Sequence, residues 1–246
     1  MAEMLTAQFW AGLMSIIGVN IVLSGDNAVV IALAARSLPP QQRRAAIVWG
    51  SGAAVVMRII LTIVALEMLK LPSLKLIGAA LLLWIAVQLL LPEDGDDGAS
   101  DDKGNANLWV AIRTILIADL VMSLDNVIGV AAAAKGSLLL LILGLAISIP
   151  IVIFGSTILV KLMDRYPIII TLGAALLGWV AGDMATTDPL IKEWVDANAA
   201  WLHYAAPAAG AILVVVVGKQ LASRAEARAT AEPVVDLARP EPPKGS

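Results

Sequence analysis

Apolar residues run along this chain in stretches long enough to cross a bilayer, and the polar breaks between them are short. Seven stretches stand out, at roughly 9–35, 45–69, 74–91, 108–134, 137–160, 167–184 and 205–222. Each is about the length a helix needs to traverse a ~30 Å hydrocarbon layer. Leu38-Pro39-Pro40 with Arg43 and Arg44 marks the first turn, and Pro72 with Lys75 the next. Residues 92–107 are acidic and glycine-containing, without periodicity, and read as a linker. The pattern predicts an all-α membrane protein with seven transmembrane helices.

The linker divides two similar halves. Asn20-Ile-Val-Leu-Ser24-Gly-Asp26-Asn27 returns as Asp119-Leu-Val-Met-Ser123-Leu-Asp125-Asn126, 99 positions on. Gly78-Ala-Ala-Leu-Leu-Leu-Trp84-Ile-Ala86-Val-Gln88 returns as Gly173-Ala-Ala-Leu-Leu-Gly-Trp179-Val-Ala181-Gly-Asp183, 95 positions on, with seven of eleven pairs identical. Three spans per copy force the second copy into the membrane upside down, so the expected architecture is two inverted three-helix repeats plus one extra helix. The expected transporter domain covers 1–222: repeat one at 9–91, repeat two at 108–184 and helix seven at 205–222. The acidic linker at 92–107 and a disordered tail at 223–246 are both expected in the cytoplasm.

Composition agrees with a membrane class: 59% of the 246 residues are hydrophobic, 15% are charged, and mean hydropathy is +0.86. No basic surface for nucleic acid is present. With no cysteine, disulfides and thiolate metal sites are excluded. The N-terminus lacks a basic region before a short apolar run, so the first helix is expected to be retained. Twelve basic residues fall on one side of the expected topology, among them Arg36, Arg43, Arg44, Arg113, Lys161 and Arg165. Only Lys70, Lys75, Lys135 and Lys192 fall on the other. That bias orients the chain in the inner (plasma) membrane with the N-terminus outside and the C-terminus in the cytoplasm.

The candidate chemistry sits inside the spans. An aspartate at a helix centre costs ~2.5–3.5 kcal/mol, so Asp26, Asp119 and Asp125 need compensation. In an ideal helix Asn20, Ser24 and Asn27 share one face, as do Asp119, Ser123 and Asn126, while Asp26 and Asp125 point elsewhere. Either the helices unwind at the motifs, or each copy lends its two polar faces to different walls of one cavity. The atoms on offer are carboxylate, amide, hydroxyl and carbonyl oxygens, which suit a hard divalent cation such as Mn²⁺, Mg²⁺ or Ca²⁺. Asn20, Ser24, Asp26, Asn27, Asp119, Ser123, Asp125 and Asn126 are therefore the candidate metal ligands, the metal being cargo rather than a resident cofactor. Ser24 and Ser123 on their own would equally serve as glue between helices. Arg58 either neutralises an aspartate or acts in gating. Its counterpart in the second copy is Pro150, and Met122 is the one soft atom near the motifs.

Ser24-Gly25-Asp26-Asn27-Ala28 and Ser123-Leu124-Asp125-Asn126-Val127, set in a duplicated chain, resemble the TerC family of integral membrane proteins, in particular its YjbE-type metal transporter branch. The resemblance covers the chain to about residue 222. It implies metal-ion homeostasis, chiefly export of Mn²⁺, with other members linked to tellurite resistance and pH response. Asn20 in place of a second aspartate lowers the charge of the first copy by one. The expectation is a secondary transporter, not an enzyme, exporting a divalent cation, with protons as the coupling ion. Export of an organic cation or amino acid is an alternative. A further one is an intramembrane aspartyl protease using Asp26 and Asp125.

Overall fold

The computed structural model describes residues 7–23, 25–68, 73–91, 101–134 and 137–231. Among them the chain is entirely helical: α1 (Ala7–Leu23), α2 (Gly25–Ala35), α3 (Pro40–Met68), α4 (Leu74–Gln88), α5 (Asp101–Ala134), α6 (Leu138–Arg165), α7 (Ile168–Thr186), α8 (Lys192–Asn198) and α9 (Leu202–Ala231). Five helices, α3, α5, α6, α7 and α9, contain segments long and apolar enough to cross a membrane. The first expected span is covered by α1 and α2 on either side of Ser24, which lies outside the described residues. The third is covered by α4, whose 15 residues reach only ~22 Å at 1.5 Å per residue.

Helix limits differ from the sequence expectation in three places. Residues 101–107, read as the end of the linker, form the first turns of α5. Residues 223–231, read as disordered tail, continue α9. Their alternation of Ala, Arg and Glu is low in apolar content but high in helix propensity. The short α8 interrupts the segment expected to be a plain loop. The rest of the linker (92–100) and of the tail (232–246) lies outside the described residues.

The helices interlock across the linker. α1 and α2 pack on α6, α3 packs on α5, and α4 packs on α7, which in turn carries α9. At the centre Leu33, Leu82, Ile115, Leu177 and Met184 are fully buried, and a smaller cluster joins Phe9, Leu13 and Ile16 of α1 to Leu141 and Leu145 of α6. All seven tryptophans are exposed on the outer surface, as befits side chains that face lipid and its interfaces. α7 and α9 approach backbone to backbone. A Cβ on Gly178 would collide with the Gly210 carbonyl, and one on Gly182 with the Ala206 carbonyl. Small residues four apart allow this contact, which apolar association in lipid relies on.

Polar ties hold the ends. Asp188, fully buried just beyond α7, accepts hydrogen bonds from the backbone N–H groups of Ser73 (3.1 Å), Lys75 (3.0 Å) and Leu76 (3.1 Å) at the start of α4, and from Leu190 (2.8 Å). These are the donors a helix N-terminus leaves unmatched. Burial pushes the Asp188 carboxyl up, but the four N–H donors outweigh it and hold the group below the ordinary carboxylate value. Elsewhere Arg43 donates to the Arg36 and Leu38 carbonyls and pairs with Asp164 at 2.8 Å, tying the α2–α3 turn to the end of α6.

Candidate functional site

α5 runs without interruption through the second motif, so Asp119, Ser123 and Asn126 lie along one stripe, as helical spacing requires. All three are buried. Of the two arrangements the sequence left open, the second copy does not unwind. Facing this stripe from the middle of α3 is Arg58, also buried. One of its Nη atoms lies 2.5 Å from Asp119 Oδ1, and its Nε donates to Ser123 Oγ at 3.0 Å. Ser123 Oγ donates in turn to Asp119 Oδ2 at 3.3 Å, closing a ring of three side chains. Thr62 Oγ1 donates to the Arg58 carbonyl at 2.7 Å, one turn along α3.

Beside this ring is a cavity of about 20 Å³, lined by Asn27 and Ile31 of α2, Ser51, Ala54, Val55 and Arg58 of α3, Asp119 of α5, and Ile149 and Val152 of α6. Its volume suits one water or one small ion. Both side-chain polar atoms of Asn27 and the Ser51 hydroxyl are buried with no hydrogen-bond partner among the described residues. A buried polar group left unmatched costs ~1–3 kcal/mol. Three such atoms at one small cavity mark a place built to receive something polar.

The first motif contributes from the opposite wall. Asn27 is buried at the cavity, and Asp26, partly exposed in the first turn of α2, accepts from the Asn27 N–H at 2.8 Å. Asp26 is held beside the cavity-lining Asn27 by its place in the first turn of α2. Asn27, Asp119 and Ser123 are thus brought together, with Asp26 near them and Asn126 on the same stripe. Ser24 and the side chains of Asn20 and Asp125 lie outside the described residues. No cluster of three or more acidic or histidine side chains forms among the described residues. Met122 is buried in the central apolar core, 100° round the helix from Ser123, and does not line the cavity.

Two site residues carry a sequence signal outside the motifs. Ser51, Ala54, Val55 and Arg58 fall at i, i+3, i+4 and i+7 on α3, a polar-ended stripe that faces the cavity as a unit. A second, larger crevice of about 470 Å³ opens between the ends of α2, α4 and α5, lined by Arg36, Trp84, Gln88 and Asn107 among others. No described motif residue is among its lining, whereas Asn27 and Asp119 line the small cavity.

The profile of the TerC family of integral membrane proteins matches residues 5–228. The chain belongs to the TerC family. It is similar to the membrane protein YjbE of Bacillus subtilis, at 43% identity over 176 residues, 72% of this chain and 79% of YjbE. It is also similar to two Escherichia coli K12 proteins. The inner membrane protein YoaE is 29% identical over 194 residues, 72% of this chain and 37% of YoaE. YegH is 31% identical over 185 residues, 68% of this chain and 35% of YegH. This TerC chain thus spans little more than a third of the two longer relatives. No solved structure matches it. It is an integral, multi-pass membrane protein.

Proposed function

We propose that this TerC protein is a secondary transporter that exports a divalent cation, Mn²⁺ by preference, through the polar centre between α2, α3, α5 and α6. The observation that carries the reading is the small cavity where Asn27 and Ser51 present unmatched polar atoms beside the buried Asp119. Its donor atoms are oxygens of amide, hydroxyl and carboxylate, and Asp26 adjoins Asn27 in the first turn of α2. An oxygen set of this kind suits Mn²⁺ and gives Zn²⁺ none of the imidazole or thiolate from which it gains its usual advantage. An organic cation would need far more room than about 20 Å³.

The motif helices of each half pack on the second helix of the other: α1 and α2 on α6, and α5 on α3. This reciprocal exchange supports the inverted-repeat reading, in which the cavity lies at the junction of the copies and rocking of one half exposes it to either side. In that topology the chain enters from outside and residues 92–107 are cytoplasmic. Cysteines placed singly at Ser100 and Asn198 report it: an impermeant reagent applied to intact cells is expected to label the second and spare the first, and the reverse pattern overturns the orientation.

Flux in vesicles tests the transport reading. Purified protein is expected to move Mn²⁺ in preference to Zn²⁺ at equal concentration. Asp26→Asn and Asp125→Asn are expected to abolish movement at unchanged protein level, because each keeps the shape but removes charge that offsets dehydration of the ion. Faster transport of Zn²⁺, or undiminished flux in both variants, would remove the oxygen-ligand site.

A further inference from the structure

The ion pair at the centre poses a problem that the transport reading does not solve by itself. Asp119 Oδ1, the oxygen a divalent cation would take, is already held by the Arg58 guanidinium at 2.5 Å, and both side chains are more than nine-tenths buried. Arg58 and Asp119 line the same cavity as the unmatched Asn27 and Ser51. A guanidinium and a divalent cation repel each other strongly at the few Å that so small a cavity allows, so arrival of the metal drives Arg58 aside. Departure of the metal leaves Asp119 ionised, in a span where a lone carboxylate is strongly disfavoured.

We infer that Arg58 is a tethered substitute for the transported cation: it pairs with Asp119 and Ser123 when the site is empty, yields to the metal when it is loaded, and so lets the empty carrier return across the membrane with no ion taken from solution. Four features fit this role. The guanidinium stays charged throughout, so it neutralises Asp119 without any proton. It sits on α3, while the carboxylate sits on α5, so the pair links the two halves and re-forms each time the cargo leaves. Its contacts to Asp119 Oδ1 and Ser123 Oγ are made through side-chain atoms, which a rotamer change can release. The Thr62 hydroxyl, meanwhile, holds the Arg58 backbone carbonyl, fixing the root of the tether. The role expected for coupling protons then falls to a residue of the chain.

The inference rests on the divalent-cation reading, and two transport modes separate the two. Vesicles containing the purified protein are loaded with Mn²⁺. Exchange is followed as uptake of radioactive Mn²⁺ against the internal pool, and net efflux as loss into Mn²⁺-free buffer. Exchange needs only the loaded carrier, whereas net efflux needs the empty one to return. Arg58→Gln is expected to slow net efflux at least about tenfold more than exchange, since the unpaired aspartate must cross the low-dielectric centre alone. Arg58→Lys, which keeps a charge on a flexible stem, is expected to recover part of the net efflux. Equal loss of both modes in both folded variants would make Arg58 merely structural, and an unchanged ratio of the modes in Arg58→Gln would remove the role. Should Arg58→Gln fail to fold, the wild type decides: net efflux is expected to stay within about twofold when nigericin, with equal potassium on both sides, collapses an imposed pH gradient across the vesicle membrane, because the guanidinium stays charged without a proton. A net efflux that tracks the gradient would return the task to protons. A wild type that carries no divalent cation in either mode defeats the transport reading and this inference with it.

Discussion

The two copies of the motif differ at one charged position: the first has Asn20 where the second has Asp119. The long helix α3 of the first half carries Arg58 within it, whereas α6 of the second carries no charge before Lys161. Seen along the chain these are unrelated departures from symmetry. In the folded protein they are one feature, because the extra aspartate of the second half and the extra arginine of the first are bonded to each other. A duplicated site that kept two identical copies would hold carboxylates with no cation when empty. An acid in one copy and a base in the other neutralise each other without changing net charge.

Breaking that pair from one side gives the largest expected effect. Asp119→Asn leaves the Arg58 charge buried without its carboxylate, a change expected to cost ~3–5 kcal/mol of stability. The double variant Asp119→Asn with Arg58→Met brings the second motif closer to the first and removes both charges, and is expected to lose less than the sum of the single changes. Unfolding of the detergent-solubilised protein across this double-mutant cycle reads the coupling, and additive losses would show that the two asymmetries are independent after all.

The next effect concerns another link from the second half to the first. Asp188 holds the start of α4 through four backbone N–H groups, and Asp188→Asn is expected to cost ~1–3 kcal/mol, as hydrogen bonds to a charged acceptor do. Because its folded pKa lies below the ordinary value, its stabilisation is fully present above the unfolded pKa of ~3.9 and is lost as pH falls through the folded value. Thermal unfolding of the wild type and of Asp188→Asn should therefore converge at the acid end of a titration and diverge above pH ~4–5. A constant gap across that range would rule out ionisation as the source.

Met122 against Leu23 is another difference between the motifs, and the one with the smallest expected effect. Met122 is packed in the apolar core away from the cavity, so Met122→Leu is expected to change stability by less than ~1.5 kcal/mol and to leave Mn²⁺/Mg²⁺ discrimination unaltered. A shift in that ratio would show that the thioether reaches the ion.

Local signals account for what the sequence made legible. Apolar length located the helices from α3 to α7 within a few residues, apart from the start of α5, and motif spacing placed Asp119, Ser123 and Asn126 on one face. Residues 101–107 and 223–231 escaped because charge and alanine describe a solvated helix as well as a disordered segment. Ser51 and the identity of the aspartate that Arg58 pairs with escaped for a different reason. The bond from Arg58 to Asp119 joins residues 61 apart, and no periodicity within α3 says which helix will face it. The sequence did single out Arg58 as a charge able to neutralise an aspartate, and the fold supplies which one.

Binding of the ion is the most direct check on the polar centre. The electron paramagnetic resonance signal of Mn²⁺ in solution is lost on coordination, so titrating purified wild-type protein in detergent should consume about one Mn²⁺ per chain, the number a single small cavity holds. Asp26→Asn and Asp119→Asn should each leave the Mn²⁺ signal as it is in buffer. Full-strength Mn²⁺ signal with the wild type, or stoichiometric binding that survives both substitutions, would contradict a cation site between α2, α3, α5 and α6.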